Sequence, residues 1–586
     1  MRQWMVAAKK ADFYAIAEKF HVDPVVARII RNREVIGEKN IRIYLGGNLS
    51  DLSDPHQMKD MDRLVEILAQ NIRKQVRIRI IGDYDVDGVT SSHLFLMALR
   101  RVGAKVDVVI PHRIQDGYGL SLHLLQQAKE DGVDTILTCD NGIAAIDEIA
   151  WAKAQKMTVL VTDHHAVPFE EHEGRRTEKK SLADAVVNPH QQDCGYPYKE
   201  LCGAGVAWNV IRVLYENYDM DKREAEDLLD FVAMATVCDV MSLTGENRIL
   251  VKEGLKRIRH TKNIGLQALM QACNVQPENI SAYHFGYVLG PCVNATGRLD
   301  TARHALRLFE TGQETEAEEI ARDLVDLNQE RKELTLQGVE MAKKLCEEGG
   351  YENDPVLVLF LPDVHESIAG LIAGRIREMY NRPVFVLTRG EEGVKGSGRS
   401  TENYSMYENM CGCAELFTKF GGHPMAAGLS LPEENVEKFR RKINENCPLT
   451  VEEVCPDIHI DMAMPVGYAS TELVHQFALL EPFGKDNPSP LFADRNLSIS
   501  RMWLIGKNRN VLRMSVLSEY GQPVPVIFFG DVETLFAYFT EKFGQEEVEN
   551  ALHGRKNRIL FSMVYTAKID FYQGNENLQL EMKYYR

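Results

Sequence analysis

Residues 76–88 read VRIRIIGDYDVDG, a β-branched run that breaks at a glycine into three alternating acids, Asp83, Asp85 and Asp87. A strand is the expected form of VRIRII, so the acids fall at its carboxyl end. The flanks decide the fold class. DRLVEILAQNIRK (62–74) before it and SSHLFLMALRRVG (91–103) after it carry apolar residues at helical spacing, and the second stops on glycine. The alternation continues with strand KVDVVIP (105–111), helix LSLHLLQQAKEDG (120–132), strand DTILTCD (134–140), helix IDEIAWAKAQ (146–155) and strand MTVLVTD (157–163). Such regularity predicts an α/β fold with a parallel sheet covered by helices, whose ligands bind at the carboxyl ends of the strands.

Those ends concentrate acids and histidines. DTILTC runs into Asp140, VLVT into Asp163, His164 and His165, and DAVV into Asn188-Pro189; the apolar segment FVAMATVC ends at Asp239. Clustered carboxylates raise one another's pKa values and coexist ionised most easily around divalent cations. Oxygen donors with one or two imidazoles suit Mn²⁺ or Mg²⁺, and a close pair of such ions activates water for phosphoester hydrolysis. A calcium loop is the competing reading, because DYDVDG fits D-x-D-x-D-G. It fails because Leu94 stands where the bidentate Glu is needed and a β run precedes the loop.

Length and composition bound the rest. The 586 residues allow about three or four domains. The 45% apolar and 26% charged content is ordinary for a soluble protein. MRQWMVAAKKADF lacks a signal-peptide core, and no run of about 20 apolar residues marks a membrane span. Eleven scattered cysteines without a CxxC pair read as reduced thiols in a cytoplasmic protein. The net charge of −17 weighs against a nucleic-acid partner, although an average leaves room for a local basic groove.

The first 48 residues read as a helical region, and NLSDLSDP (48–55) as a connector. A charged, proline-free stretch over 301–349 reads as helices connecting two lobes. A second α/β unit is expected over 350–446, with strands PVLVLFL and RPVFVLT around the helix ESIAGLIAGRIREMY. From about 455 to 586, five short strand patterns predict a small antiparallel barrel.

GDYDVDG, CDNG, TDHH and Asp239 resemble the successive motifs of the DHH phosphoesterase superfamily. Within it the chain is most similar to the RecJ family of bacterial single-strand-specific 5′→3′ DNA exonucleases. NRE…NLSDLSDP, LCGAGVAW, GPCVNATGRLD, HESIAGLIAGRI, GSGRS, KFGGHPMAAGLSL and LEPFGKDNPSP carry that resemblance nearly end to end. It implies a DHH catalytic domain over 49–300, a DHH-associated domain over 350–446 and an OB-fold over 455–586. It also implies single-stranded DNA as substrate, mononucleotides as products, and a role in DNA repair and recombination. A monomer with a helicase and a single-strand-binding protein as partners belongs to the same expectation.

Carried over, Asp85 and Asp87 each hold one metal, Asp140 bridges the pair, His164 and Asp239 complete the second site, Asp83 sits beside the first, and His165 contacts the scissile phosphate. Cys292 and Thr296 stand where the family text is PRINAAGR, and VHESIAG replaces WHxGVIG; the metal ligands all survive, so these departures bear on the DNA contacts the resemblance implies rather than on catalysis.

GSGRS places Ser397 and Arg399 among glycines that would free backbone N–H groups for an anion; an exposed turn with a solvated Arg is the plainer alternative. Gly421-Gly422-His423 reads as an anion-facing loop or as tight packing at a helix start. Arg113 follows the strand KVDVVIP, Tyr118 could stack on a base, and Arg298 could reach substrate from the lobe interface. Two other classes compete: a DHH hydrolase of oligoribonucleotides, cyclic dinucleotides or pyrophosphate, and a catalytically dead scaffold. The terminal barrel favours a polymer over the first, and the complete ligand set opposes the second.

Overall fold

A computed structural model describes residues 3–112, 116, 119–172, 175–351, 353–390, 393–506, 509–572 and 574–586. Arg113 and Tyr118 lie outside the described residues. The chain divides into two compact units, one of 52–241 with 249–456 and one of 3–51 with 242–248 and 457–586.

The first unit opens on five parallel strands, in the spatial order Lys105–Val109, Arg77–Ile81, Thr135–Cys139, Thr158–Thr162 and Ala185–Val187. Ile136, Leu137, Val159, Leu160 and Val161 are fully buried, as a sheet covered on both faces requires. In chain order the first and third strands of this sheet, Arg77–Ile81 and Thr135–Cys139, are neighbours, and their crossovers leave in opposite directions. A crevice opens there at the carboxyl edge. Asn141 ties the two strand ends, its Nδ2 donating to Ile81 O (3.0 Å) and Cys139 O (2.9 Å). Two of the helices between strands take side-chain caps: Asp85 accepts from Gly88 N–H to start Val86–Arg101, and Ser121 accepts from Leu124 N–H to start Leu122–Glu130.

FVAMATVC is not a strand. It lies within the helix Leu229–Cys238, and Asp239 is its C-terminal cap. The segment is apolar on every side because the helix is buried all round, and that hides the helical period.

The helical stretch after the sheet becomes Arg303–Glu310 and a 35-residue helix, Glu314–Glu348, about 50 Å long. Val339, Ala342 and Cys346 on the long helix share a core with Ile368 and Ile372 of the helix Glu366–Tyr380. The second sheet has the order Lys419–His423, Ala426–Leu431, Val394–Arg399, Val384–Arg389, Leu357–Phe360, antiparallel except for its last pair. GSGRS is therefore mostly strand. Gly396 and Gly398 do not free N–H groups in a loop. A Cβ on Gly396 would lie 2.4 Å from Leu387 Cδ2, and one on Gly398 2.4 Å from Met406 Sδ. Gly421-Gly422-His423 is likewise the end of a hairpin strand, neither a loop nor a helix start.

In the second unit the strands Phe492–Ile505, Val511–Leu517, Pro523–Phe528, Asn575–Tyr585 and Leu560–Tyr572 pair in sequence, and the last pairs back with the first. This closes a barrel. Its core includes Met502, Leu512, Met514 and Phe561, and extends to Val26, Ile29 and Ile30 of the N-terminal helix Pro24–Asn32. Among the described residues, no helix is long and apolar enough to cross a membrane.

Candidate active site

Three turns meet at the carboxyl edge of the parallel sheet. The first is GDYDVDG. Gly88 is required there, because a Cβ would lie 2.5 Å from both Asp83 N and Asp83 O. Asn294 Oδ1 receives Val86 N–H (3.2 Å) and steadies this turn from another helix. The second turn holds Asp140 in the left-handed region, at φ 61°. Such backbone is uncommon for a side-chain-bearing residue and marks a position held by its surroundings.

The third turn is organised by Asp163, which is 1% exposed. Its carboxylate receives Ile143 N–H (2.9 Å), His164 N–H (2.7 Å), His165 N–H (3.1 Å) and His165 Nδ1 (2.8 Å). Burial alone would raise Asp163, but these bonds and the histidine charges outweigh it and lower its pKa. Burial pulls His165 down, yet its bond to Asp163 and the neighbouring acids raise it to about 9. At the end of its strand Asp163 thus fixes the two histidines that follow it.

The structure brings Asp83, Asp85, Asp87, Asp140, His164, His165 and Asp239 together. Asp83, Asp85 and Asp140 present ligand atoms within 4.8 Å of one another, as do Asp87, His164 and Asp239, and Asp140, His164 and His165. His164 Nε2 lies 3.0 Å from Asp140 Oδ1 and 3.6 Å from both Asp87 Oδ2 and Asp239 Oδ2. Yet it makes no hydrogen bond, and neither does buried Asp83 Oδ1. Burial first, and then the Asp85 charge, pushes Asp83 well above the ordinary carboxylate range. Burial and Asp87 raise Asp85, and burial with all four neighbouring acids raises Asp140. Burial lowers His164 and so favours the neutral, metal-binding imidazole. Unbonded buried donors and mutually repelling acids fit divalent cations with oxygen-rich coordination.

Asp87 is held from outside the three turns. Gly203 and Ala204, at the start of the helix Gly203–Asn217, donate their N–H groups to its carboxylate at 2.6 and 2.7 Å. This use of a helix N-terminus was not read from LCGAGVAW, although adjacent small residues before an apolar run are its signal. Gly203 is needed for a second reason, since a Cβ would lie 2.6 Å from Asp140 Cβ. Gly203→Ala is therefore expected to cost about 1–3 kcal/mol of stability by overpacking. It should also weaken Mn²⁺ binding at least tenfold in calorimetric titration. Unchanged melting temperature and Mn²⁺ affinity would contradict this packing.

A second cluster faces the helix Glu366–Tyr380. An ideal Cβ on Gly370 would lie 2.9 Å from Arg399 Nη2 and 3.4 Å from Ser397 Oγ, so both side chains cross the helix at its glycine. A cavity of about 420 Å³ is lined by Tyr84, Lys395, Ser397, Lys419 and Gly421, among others. Tyr84 sits between Asp83 and Asp85, so this cavity adjoins the acidic turn. Arg298 Nη1 donates to Ser367 O (2.6 Å) in the first turn of the same helix. His423 is exposed at its hairpin and is not among the cavity's lining residues.

Comparison with known proteins gives these arrangements a context. The DHH family, N-terminal domain, matches residues 77–236, the DHHA1 domain 353–447 and the RecJ OB domain 460–584. The single-stranded-DNA-specific exonuclease RecJ of Haemophilus influenzae is 32% identical over 96% of both chains. The protein of that name from Bacillus subtilis is 33% identical over 87% of this chain, which spans 63% of that longer relative. Among solved structures, RecJ from Thermus thermophilus in complex with Mn²⁺ superposes with a TM-score of 0.81 at 25% identity, covering 100% of this chain and 79% of that one. An exonuclease RecJ bound to manganese matches 66% of this chain and 94% of its own, with a TM-score of 0.57 and 32% identity.

Proposed function

The chain belongs to the RecJ family of DHH phosphoesterases, and from that premise we propose that it degrades single-stranded DNA from the 5′ end to mononucleotides in DNA repair and recombination. One observation carries the reading: the ligand groups Asp83–Asp85–Asp140 and Asp87–His164–Asp239 lie side by side at a sheet's switch point, with Asp140 Oδ1 3.0 Å from His164 Nε2. Asp83, Asp85 and Asp140 would hold one divalent cation, Mn²⁺ or Mg²⁺, and Asp87, His164 and Asp239 the other, with Asp140 reaching both. Such a pair supplies charge neutralisation at the scissile phosphate and acidifies the attacking water. The chain's own residues do the rest. Asp163 orients His165 so that its imidazole can donate to the scissile phosphate. Gly203 and Ala204 hold the Asp87 carboxylate in place by their N–H groups. Ser397, Arg399 and the N-terminal turn beside Gly370 offer an anion pocket to the strand's end. Arg298 and His423 are assigned to the strand's path.

In this reading residues 49–300 carry catalysis, 301–349 connect, 350–446 add phosphate contacts, and the barrel from 455, with the helices of 1–48, holds the strand. The protein works in the cytoplasm as a monomer, beside a helicase and a single-strand-binding protein. Supplying a 5′-labelled single strand, an RNA dinucleotide and pyrophosphate in parallel tests the assignment. Rapid turnover of the strand alone is the expected result, and preference for either small substrate would overturn it.

The barrel offers a specific test of strand holding. Trp503 and Arg513 are cross-strand partners, and Arg501 and Arg513 lie 5.6 and 5.9 Å from the Trp503 ring. An indole between guanidiniums suits base stacking beside phosphates. Loss of one stacked base costs about 1–3 kcal/mol, so Trp503→Ala should raise KM for long strands roughly 5- to 150-fold. Hydrolysis of very short oligomers should stay nearly intact. Equal losses on both would point to a folding role. Removing the whole barrel is a poorer test, since Val26, Ile29 and Ile30 would lose their core.

A further inference from the structure

One pair of cysteines has no part in the chemistry above. Cys273 caps the C-terminus of the helix Ile264–Ala272, and Cys292 lies in the helix Gly290–Leu299. Their sulfurs are 3.7 Å apart, so about 1.7 Å of approach would bring them to disulfide length. Cys273 is partly exposed, whereas Cys292 is 2% exposed. The Cys292 sulfur lies between a carbonyl, Val288 O at 3.3 Å, and donors of the long helix. Its Sγ is 3.3 Å from Asn328 Nδ2, and Arg331 and Lys332 follow Asn328 on the long helix. The hydrogen bond from Cys273 lowers the Cys292 pKa against burial, and Asn328, Lys332 and Arg331 add to the effect. A partly exposed thiol with a second thiol 3.7 Å away is the arrangement of a redox-active pair.

The position of this pair gives it leverage. Cys292 lies two residues before Asn294, whose side chain receives Val86 N–H in the acidic turn (3.2 Å). On the same helix a Cβ at Gly297 would lie 2.5 Å from Tyr84 O, and Arg298 bonds Ser367 O at 2.6 Å. A shift of this helix is therefore felt by GDYDVDG and by the start of the helix that faces Ser397 and Arg399.

We propose that Cys273 and Cys292 are a modification site that closes to a reversible disulfide under a hydroperoxide, and that closure displaces the helix supporting the acidic turn. The balance is complete. The two thiols give up two electrons and two protons, an S–S bond forms, the O–O bond of hydrogen peroxide breaks, and two waters leave. Dithiothreitol supplies the electrons for the reverse step.

The test uses the full chain with hydrogen peroxide, non-reducing peptide mass spectrometry, and hydrogen exchange of residues 83–90. The expected result is a Cys273–Cys292 cross-linked peptide, 2 Da below the summed thiol masses by loss of two hydrogens, that dithiothreitol dissolves. Exchange in 83–90 should quicken at least threefold in the cross-linked form. Cys273→Ser should give neither change, with basal exchange like the parent. Absence of the cross-link while exposed Cys411 is oxidised would overturn the site. A cross-link with unchanged exchange, or quickened exchange in peroxide-treated Cys273→Ser, would overturn its coupling to the turn. Both readouts are independent of nuclease activity, so they stand apart from the proposed function.

Discussion

Replacing Asp140 by Ala should reduce strand degradation at least a thousandfold. Its carboxylate belongs to the group with Asp83 and Asp85, and its Oδ1 lies 3.0 Å from His164 Nε2 of the group with Asp87 and Asp239, so in the two-metal reading its removal takes a donor from both. A thousandfold corresponds to about 4 kcal/mol of barrier, within what two-metal activation provides. The fold should survive. Burial and four neighbouring acids strain the Asp140 charge, and deleting it relieves repulsion in the metal-free protein. The opposing cost is small: Ala at φ 61° gives up about 1 kcal/mol, and Asp140→Asn avoids most of that because Asn tolerates the left-handed region. The metal-free variants should therefore melt within a few degrees of the parent and bind single strands within a few-fold of it. Retention of even a tenth of the parent rate, by either variant, would defeat the assignment of Asp140 to both clusters.

Arg399→Ala should remove the preference for 5′-phosphorylated over 5′-hydroxyl strands. An exonuclease needs a feature that stops the chain from threading past its metals, and a pocket for a terminal phosphomonoester is one. The Arg399 guanidinium lies across Gly370, where any Cβ would come within 2.9 Å of Nη2, and Ser397 Oγ faces the same point. Lys395 and Lys419 line the cavity with Ser397. The planar guanidinium can bind two phosphate oxygens at once, which an ammonium cannot. A charge-assisted bond of about 1.5–3 kcal/mol corresponds to roughly 10- to 150-fold in kcat/KM on the phosphorylated strand. The hydroxyl strand should hardly slow. Equal slowing of both strands would make Arg399 a general backbone contact and place end recognition elsewhere.

The catalytic sheet was legible because its signals are local. VRIRII, DTILTC and VLVT are apolar runs bounded by glycine or acids, and the intervening helices keep their period. The acids were legible as a set because they recur at one end of those runs. What escaped depends on packing between distant segments. Nothing near Asp87 predicts that Gly203 N–H will hold it, since the two meet across 116 positions. The glycines of GSGRS read as a loop because glycine is ambiguous in sequence. Only the Leu387 and Met406 side chains opposite Gly396 and Gly398 reveal a strand that excludes a Cβ. The N-terminal helices are amphipathic in sequence, but their partner is not visible there. Arg33 binds Asp461 (2.7 Å) across 428 positions, and Val26 completes a core built by the barrel. Asp239 joins Asp87 and His164 as the cap of a buried helix rather than from a strand end, because an apolar segment buried all round shows no helical period.

A paired digest with Mn²⁺ shows whether the two ligand clusters act on a free 5′ end. One single strand is labelled at its 5′ end and the same strand at its 3′ end, and both are sampled through a time course. Action from the 5′ end should release labelled mononucleotide from the 5′-labelled strand at the earliest times and leave a shrinking ladder from the 3′-labelled strand. Mononucleotide released first from the 3′ label, or internal fragments from both strands, would contradict it.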